Sequence, residues 1–254
     1  MTGQVVCVSA SIPSSAAEEA RAVALELVAG GFEEFEGEGT TTLRFYVEEG
    51  AVGSIREAFG DVEVVDVAPG WEGAWRAFHR VVRAGGLWIG PPWEQADAGD
   101  VPVVIDPGRA FGTGAHATTR MCIELLARSE RGSLLDVGCG SGVLSIAASR
   151  LGFAPILAVD NDPVALETTI ANARFNGVEV DASLLDAERE PLPAADLTVA
   201  NVLLAPVERI LARIEGGVAI TSGYLDTDDP AAVGWRSTDR VELDGWAADR
   251  FERG

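Results

Sequence analysis

One segment constrains this chain more than any other: Asp136-Val137-Gly138-Cys139-Gly140-Ser141-Gly142. It follows the apolar pair Leu134-Leu135 and leads into a helical pattern over 141–151. A strand that ends in glycines and opens a helix lets the backbone approach a ligand, with the free N–H groups of the helix start aimed at it. Such a unit belongs to an alternation of strands and helices, and the chain supplies one from residue 101 onward. Residues 101–105, 134–137, 156–159, 178–182, 197–200 and 218–221 read as strands. Between them 118–127, 141–151, 163–176 and 206–214 read as helices, with Asp162 as a cap, Pro163 in the first turn and Gly177 as the stop. The fold class expected is α/β, a Rossmann-like domain with a mostly parallel seven-stranded sheet.

The first 68 residues follow another pattern. Strand-like runs at 5–8, 41–47 and 62–67 flank helical patterns at 15–28 and 54–59. Ser15-Ala16-Ala17-Glu18 has the form of a capping box, and Gly30-Gly31 of a helix stop. These runs, one strand short of a full β-α-β-β-α-β order, predict a small ferredoxin-like α+β domain over 1–68. Residues 69–100, with Pro and Gly throughout and Trp71, Trp75, Trp88 and Trp93 among them, are expected to be an aromatic linker. The α/β domain then occupies 101–254.

Composition removes several chemistries. The chain carries 40 acids against 19 basic residues, a net charge of −21, and every basic residue is arginine. Without lysine there is no P-loop, kinase, pyridoxal-phosphate or Schiff-base site. The acidity argues against direct nucleic-acid binding. Residues 1–68 hold 13 acids and 3 arginines, so nearly half of the excess charge sits in the small domain. That suits either a solvated surface or a docking face for a basic partner. Cys7, Cys122 and Cys139 stand far apart, and only His79 and His116 accompany them, so neither a disulfide framework nor a metal site is expected. No leader-like start and no long apolar run is evident, which predicts a cytoplasmic protein with no membrane association; a monomer is expected.

The glycine pattern is DxGxGxG. A dinucleotide fingerprint would place a third glycine where Val143 stands. An acid at the strand end, Asp136, opposes a pyrophosphate and suits a cationic ligand such as the amino group of S-adenosylmethionine (AdoMet). Asp160, at the end of the following strand, is placed to accept ribose hydroxyls, a role shared with NAD sites. Asn201 ends another strand, on the edge where open α/β sheets bind ligands; the alternative reading is a turn residue. Upstream, 105–119 carries Gly108, Gly112 and Gly114 around Phe111, then His116 and Thr118-Thr119. As a bare pattern this is a mobile covering loop or a helix cap, and His116 a structural histidine.

Residues 104–119 resemble the [LI]-[DE]-P-G-x-A-F-G-T-G-x-H-x-T-T signature of the PrmA family, methyltransferases of large-subunit ribosomal protein eleven. The resemblance extends through 135–144, 159–163, 200–203 and 222–225, and back to the W-x-x-x-W-R stretch at 71–76, so it spans roughly 71–225. It implies AdoMet as cofactor. Phe111, Gly112 and Thr113 would cover it, Thr119 would close onto it, and Gly138 would lie under its methionine part, in a loop shared with Gly140 and Gly142. Asp160 would hold the ribose and Asn201 would lie beside the methyl group. It further implies a basic ribosomal protein as substrate, presented by the N-terminal domain, with methyl transfer to lysine or N-terminal amines. Residues 226–235, interrupted by Pro230, depart from the family pattern.

No general base is evident. His116 is one candidate, and Asn201 could accept an amine hydrogen through its side-chain oxygen. The alternatives are a methyltransferase of another protein lysine or of a small molecule, an NAD-dependent dehydrogenase, and a non-catalytic AdoMet-binding module.

Overall fold

The computed structural model describes residues 5–28, 32–37, 39–66, 80–106 and 114–254. The chain divides into two compact units, residues 1–78 and 79–254.

In the first unit the order is β1 (Val5–Pro13), α1 (Ala17–Leu27), β2 (Glu33–Glu36), β3 (Thr40–Glu48), α2 (Val52–Phe59) and β4 (Val62–Asp66). The sheet order is β2-β3-β1-β4, and every pairing is antiparallel. Alternation along β1 turns Val6, Val8, Ala10 and Ile12 inward, where they pack with Leu43, Phe45 and Val47 of β3. The helices complete this core with Ala20 and Ala24 of α1 and Val52 and Ile55 of α2. The phenyl rings of Phe32 and Phe59 lie 5.8 and 5.6 Å from that of Phe45.

Ser15 is not the cap of α1. Residues Ser14–Ala16 make a 3-10 turn, and the cap of α1 is Ala16, with no side-chain hydrogen bond. The 3-10 turn is anchored by the Ser14 N–H, which donates to the Gly39 carbonyl at 3.1 Å. The helix ends at Leu27, and the expected Gly30-Gly31 stop lies outside the described residues.

The second unit begins with strands where a linker was expected. β5 (Val82–Ala84) and β6 (Leu87–Gly90) form a hairpin, and β7 (Pro102–Val104) pairs parallel to β6. Ala84, Leu87, Ile89 and Val103 join the main core of the unit. At Gly85, φ is +56°, and an added Cβ would lie 2.8 Å from the Ile123 carbonyl of α3 (Ala117–Arg128). That close approach seats the hairpin on the helix. Trp88 is buried in this sheet, whereas Trp71 and Trp75 lie outside the described residues.

After α3 follow β8 (Leu134–Val137), α4 (Val143–Leu151), β9 (Ile156–Asp160) and α5 (Pro163–Asn176). Then come β10 (Asp181–Leu184), β11 (Leu197–Asn201), α6 (Leu204–Leu211), β12 (Val218–Leu225), β13 (Trp235–Leu243) and β14 (Trp246–Arg253). The seven-stranded sheet has the order β10-β9-β8-β11-β12-β14-β13. Its first five strands are parallel, and β14 and β13 are antiparallel additions. Leu134, Val199 and Ile220 point into the core shared with α3 and α4, while Leu135, Val137, Ala200 and Ala219 point into the core shared with α6. Burial on both faces explains why these strands read as unbroken apolar runs. The departure at 226–235 does not prevent the final hairpin. It is held by a cluster around the buried Asp249, which accepts from Tyr224, Arg240 and Ser237.

Candidate functional site

Chain order reverses between β8 and β11: β9 and β10 lie to one side of β8, β11 and β12 to the other. At such a reversal the connections leave in opposite directions and open a crevice at the carboxyl ends of the strands. The sheet therefore places there the loop after β8, Asp160 ending β9 and Asn201 ending β11.

The loop is tightly built. Gly138, Gly140 and Gly142 all have positive φ, at +73°, +53° and +80°. An added Cβ at Gly138 would lie 2.7 Å from the Val202 side chain, so that position stays open only as glycine. Gly142 caps α4 and lies against the backbone of Thr169, where a Cβ would be 3.1 Å from its Cα. The loop is thus shaped by packing on two sides. Cys139 is buried within it, and its thiol is pushed up to about 12 by that burial.

Asp160 joins loop to strand. Its Oδ2 accepts the Gly140 N–H at 3.0 Å, and its Oδ1 accepts the Asp162 N–H at 3.0 Å. A carboxylate has about four acceptor positions, so capacity remains for two hydroxyl donors. Asp162 caps α5 through the Val164 N–H, as expected from Asp-Pro.

Asp136 lies beneath the loop. It is 1% exposed and accepts from the Ser145 hydroxyl at 2.6 Å. Burial raises its carboxyl to about 6, which the Ser145 hydrogen bond partly offsets. Its influence on a ligand in the crevice would be that of a buried charge acting across the loop.

Asn201 and Thr119 meet. The Asn201 Nδ2 donates to the Thr119 Oγ1 at 3.3 Å, which leaves the amide oxygen to accept from a ligand. His116 is the cap of α3: its Nδ1 accepts from the Thr118 N–H and pairs with the Thr118 hydroxyl at 2.8 Å. Its ring stands edge-on to Trp246 at 4.9 Å, and burial lowers its pKa despite the nearby Asp244. A neutral capping histidine fits these contacts. Phe111, Gly112 and Thr113 lie outside the described residues. No group of three or more His, Cys, Asp or Glu suited to a metal ion occurs among the described residues. Among them, no helix is long and apolar enough to cross a membrane.

Sequence reading missed Ser145, Thr169, Asn172 and Asn176, all of which brace the loop or its surroundings. Their signal was present. Along α5 the buried positions Ala165, Thr169, Asn172, Ala173 and Asn176 form one face that is mostly polar, which only tertiary hydrogen bonds could satisfy.

The chain is similar to known proteins. The family model described as ribosomal protein L11 methyltransferase (PrmA) matches residues 48–248. A ribosomal protein L11 methyltransferase from Symbiobacterium thermophilum is 38% identical over 196 residues, covering 70% of this chain and 64% of that protein. One from Dechloromonas aromatica is 49% identical over 147 residues, covering 55% of this chain and 49% of that protein. These matches span less than two thirds of the relatives' length. The crystal structure of a ribosomal protein L11 methylase from Lactobacillus delbrueckii subsp. bulgaricus superposes with a TM-score of 0.63 at 26% identity, covering 69% of this chain and 99% of that one.

Proposed function

The chain belongs to the ribosomal protein L11 methyltransferase (PrmA) family, and from that premise we propose that it transfers methyl groups from AdoMet to amines of ribosomal protein L11. The observation that carries this reading is the convergence of three features at the switch point: the Gly138–Gly142 loop, Asp160 on one side and Asn201 on the other.

The residues fit AdoMet. Only glycine leaves room at 138, Asp160 retains acceptors for a ribose diol, and Asp136 contributes negative charge beneath a cationic methionine end. When bound, AdoMet would supply a sulfonium methyl group that is already electrophilic. The protein's work is then orientation and exclusion of water. Asn201, held by Thr119, presents an oxygen that can accept an N–H of the incoming amine and aim its lone pair. The amine must be neutral to attack, and lysine in water has a pKa of about 10.4. Desolvation in the crevice disfavours the ammonium form, so no dedicated base is required.

The first unit is assigned substrate presentation, in the ferredoxin-like reading of its β-α-β-β-α-β order. The 13 acids and 3 arginines of residues 1–68 favour a basic protein partner. Lysine side chains and the N-terminal amine are the acceptors in this reading. The setting is the cytoplasm, where ribosomal proteins are made, and the enzyme acts as a monomer. Incubation with tritiated AdoMet and L11 from the same organism tests the proposal. Label on L11, placed on amines by mass spectrometry, is expected; unlabelled L11, free and ribosome-bound alike, refutes the substrate.

A further inference from the structure

Asparagine is a poor helix former, yet α5 buries two of them four residues apart, Asn172 within the helix and Asn176 as its last residue. Asn172 is 3% exposed and Asn176 is 9% exposed. Their partner is β7, an edge strand with β6 on one side only. The Asn176 Oδ1 accepts the Val104 N–H at 2.9 Å, and its Nδ2 donates to the Val104 carbonyl at 2.6 Å. Two residues on, the Asn172 Oδ1 accepts the Asp106 N–H at 3.1 Å, and its Nδ2 reaches the Asp106 carbonyl at 3.4 Å. The spacing explains the match. Four helical residues advance about 6 Å, and two strand residues about 6.6 Å. The two amides therefore serve β7 as a second neighbouring strand would.

Asn172 reaches further than Asn176. Its Nδ2 also donates to the Ser141 carbonyl at 2.9 Å, inside the glycine loop. One turn earlier, the Thr169 hydroxyl donates to the Gly140 carbonyl at 2.9 Å. A planar peptide points its C=O opposite to the N–H of the next residue, so holding these carbonyls also sets the direction of the following amides. Asn176 makes no such bond; its remaining donation goes to the Asn172 carbonyl within α5.

We propose that Asn172 is a positioning residue for the cofactor: it sets the Gly140–Gly142 backbone for AdoMet through the Ser141 carbonyl, whereas Asn176 braces β7 alone. The inference rests on the AdoMet reading above.

The test uses the full chain and two matched variants, Asn172→Asp and Asn176→Asp. Aspartate keeps the shape, and its ionised form can still accept the strand N–H but cannot donate to a carbonyl. Both variants should melt at lower temperature. Calorimetric titration with AdoMet, well below the melting range, separates them. The Kd should rise at least tenfold in Asn172→Asp and stay within twofold in Asn176→Asp. Should Asn172→Asp fail to fold, Asn172→Ser is the substitute, and a Kd at least threefold weaker is expected. An unchanged Kd in the folded Asn172 variant, or equal weakening in both variants, overturns the inference. If the unsubstituted protein itself fails to bind AdoMet, the cofactor reading falls and this inference with it, an outcome distinct from the others.

Discussion

The side-chain amide of Asn201 donates to the hydroxyl of Thr119 across 3.3 Å, tying the end of β11 to the first turn of α3. The two residues are 82 positions apart, and their contact decides which end of the amide faces the crevice. Thr119→Val keeps the shape and removes the acceptor, freeing the amide to turn. We expect kcat to fall about tenfold in Thr119→Val, the value of one lost hydrogen bond of about 1.4 kcal/mol. Asn201→Ala should cost more, about a hundredfold, with AdoMet affinity less affected than kcat. Steady-state kinetics with L11 as substrate checks both.

Asp160 bonds the loop and would also bond the ribose. Asp160→Ala removes a charged acceptor from both, and charge-assisted hydrogen bonds contribute about 1.5–3 kcal/mol each. The Kd for AdoMet should rise by two orders of magnitude or more. Asp160→Asn keeps one acceptor oxygen and should lose less. Equilibrium binding by calorimetry or fluorescence discriminates the two.

Asp136 gives a pH signature. Its folded pKa of about 6 lies above the ordinary 3.8, so the folded state favours the protonated carboxyl. The resulting stabilisation is fully present below about pH 3.8, is lost as pH rises to about 6, and is absent above that. At pH 8 the ionised, buried Asp136 therefore costs about 3 kcal/mol against a neutral isostere. Asp136→Asn should raise Tm by several degrees at pH 8, and its advantage should shrink as pH falls through 6 toward 4. Thermal melts of both proteins across that range follow the difference. The same substitution should weaken AdoMet binding, because the negative charge beneath the loop is gone.

The closing hairpin depends on an ion pair. Asp249 is 2% exposed and accepts from Arg240 at 2.9 Å and from Tyr224 at 2.9 Å. Removing one partner strands a buried charge, at a cost of about 3 kcal/mol or more. Arg240→Met should lower stability by that amount and Tyr224→Phe by about 1 kcal/mol. Paired substitution, Arg240→Met with Asp249→Leu, should recover much of the loss. Chemical denaturation of the three variants measures it.

Much of the second unit was legible because its signals are local. Leu134-Leu135-Asp136-Val137 before three glycines can only end a buried strand and open a helix, and Asp162-Pro163 caps α5 where expected. Asp160 and Asn201 were found because strand ends are readable from where apolar runs stop. The hairpin β5–β6 was missed because its strands are three and four residues long and its Gly-Gly and Pro-rich surroundings imitate a linker. Ser15 does not cap α1 because residues 14–16 turn as a 3-10 helix, which moves the start of α1 one residue on, to an Ala16 cap.

By itself, the sequence determined the alternation of strands and helices, the glycine loop and the acids and amide at the strand ends, since each depends on the periodicity and backbone preferences of neighbouring residues. Tertiary structure alone decided that chain order reverses between β8 and β11, that Asn172 and Asn176 complete the edge of β7, and that His116 is spent as a cap. The physical reason is that a hydrogen bond between residues far apart in the chain has no local signature: its two halves look like unexplained polar positions until folding sets them side by side.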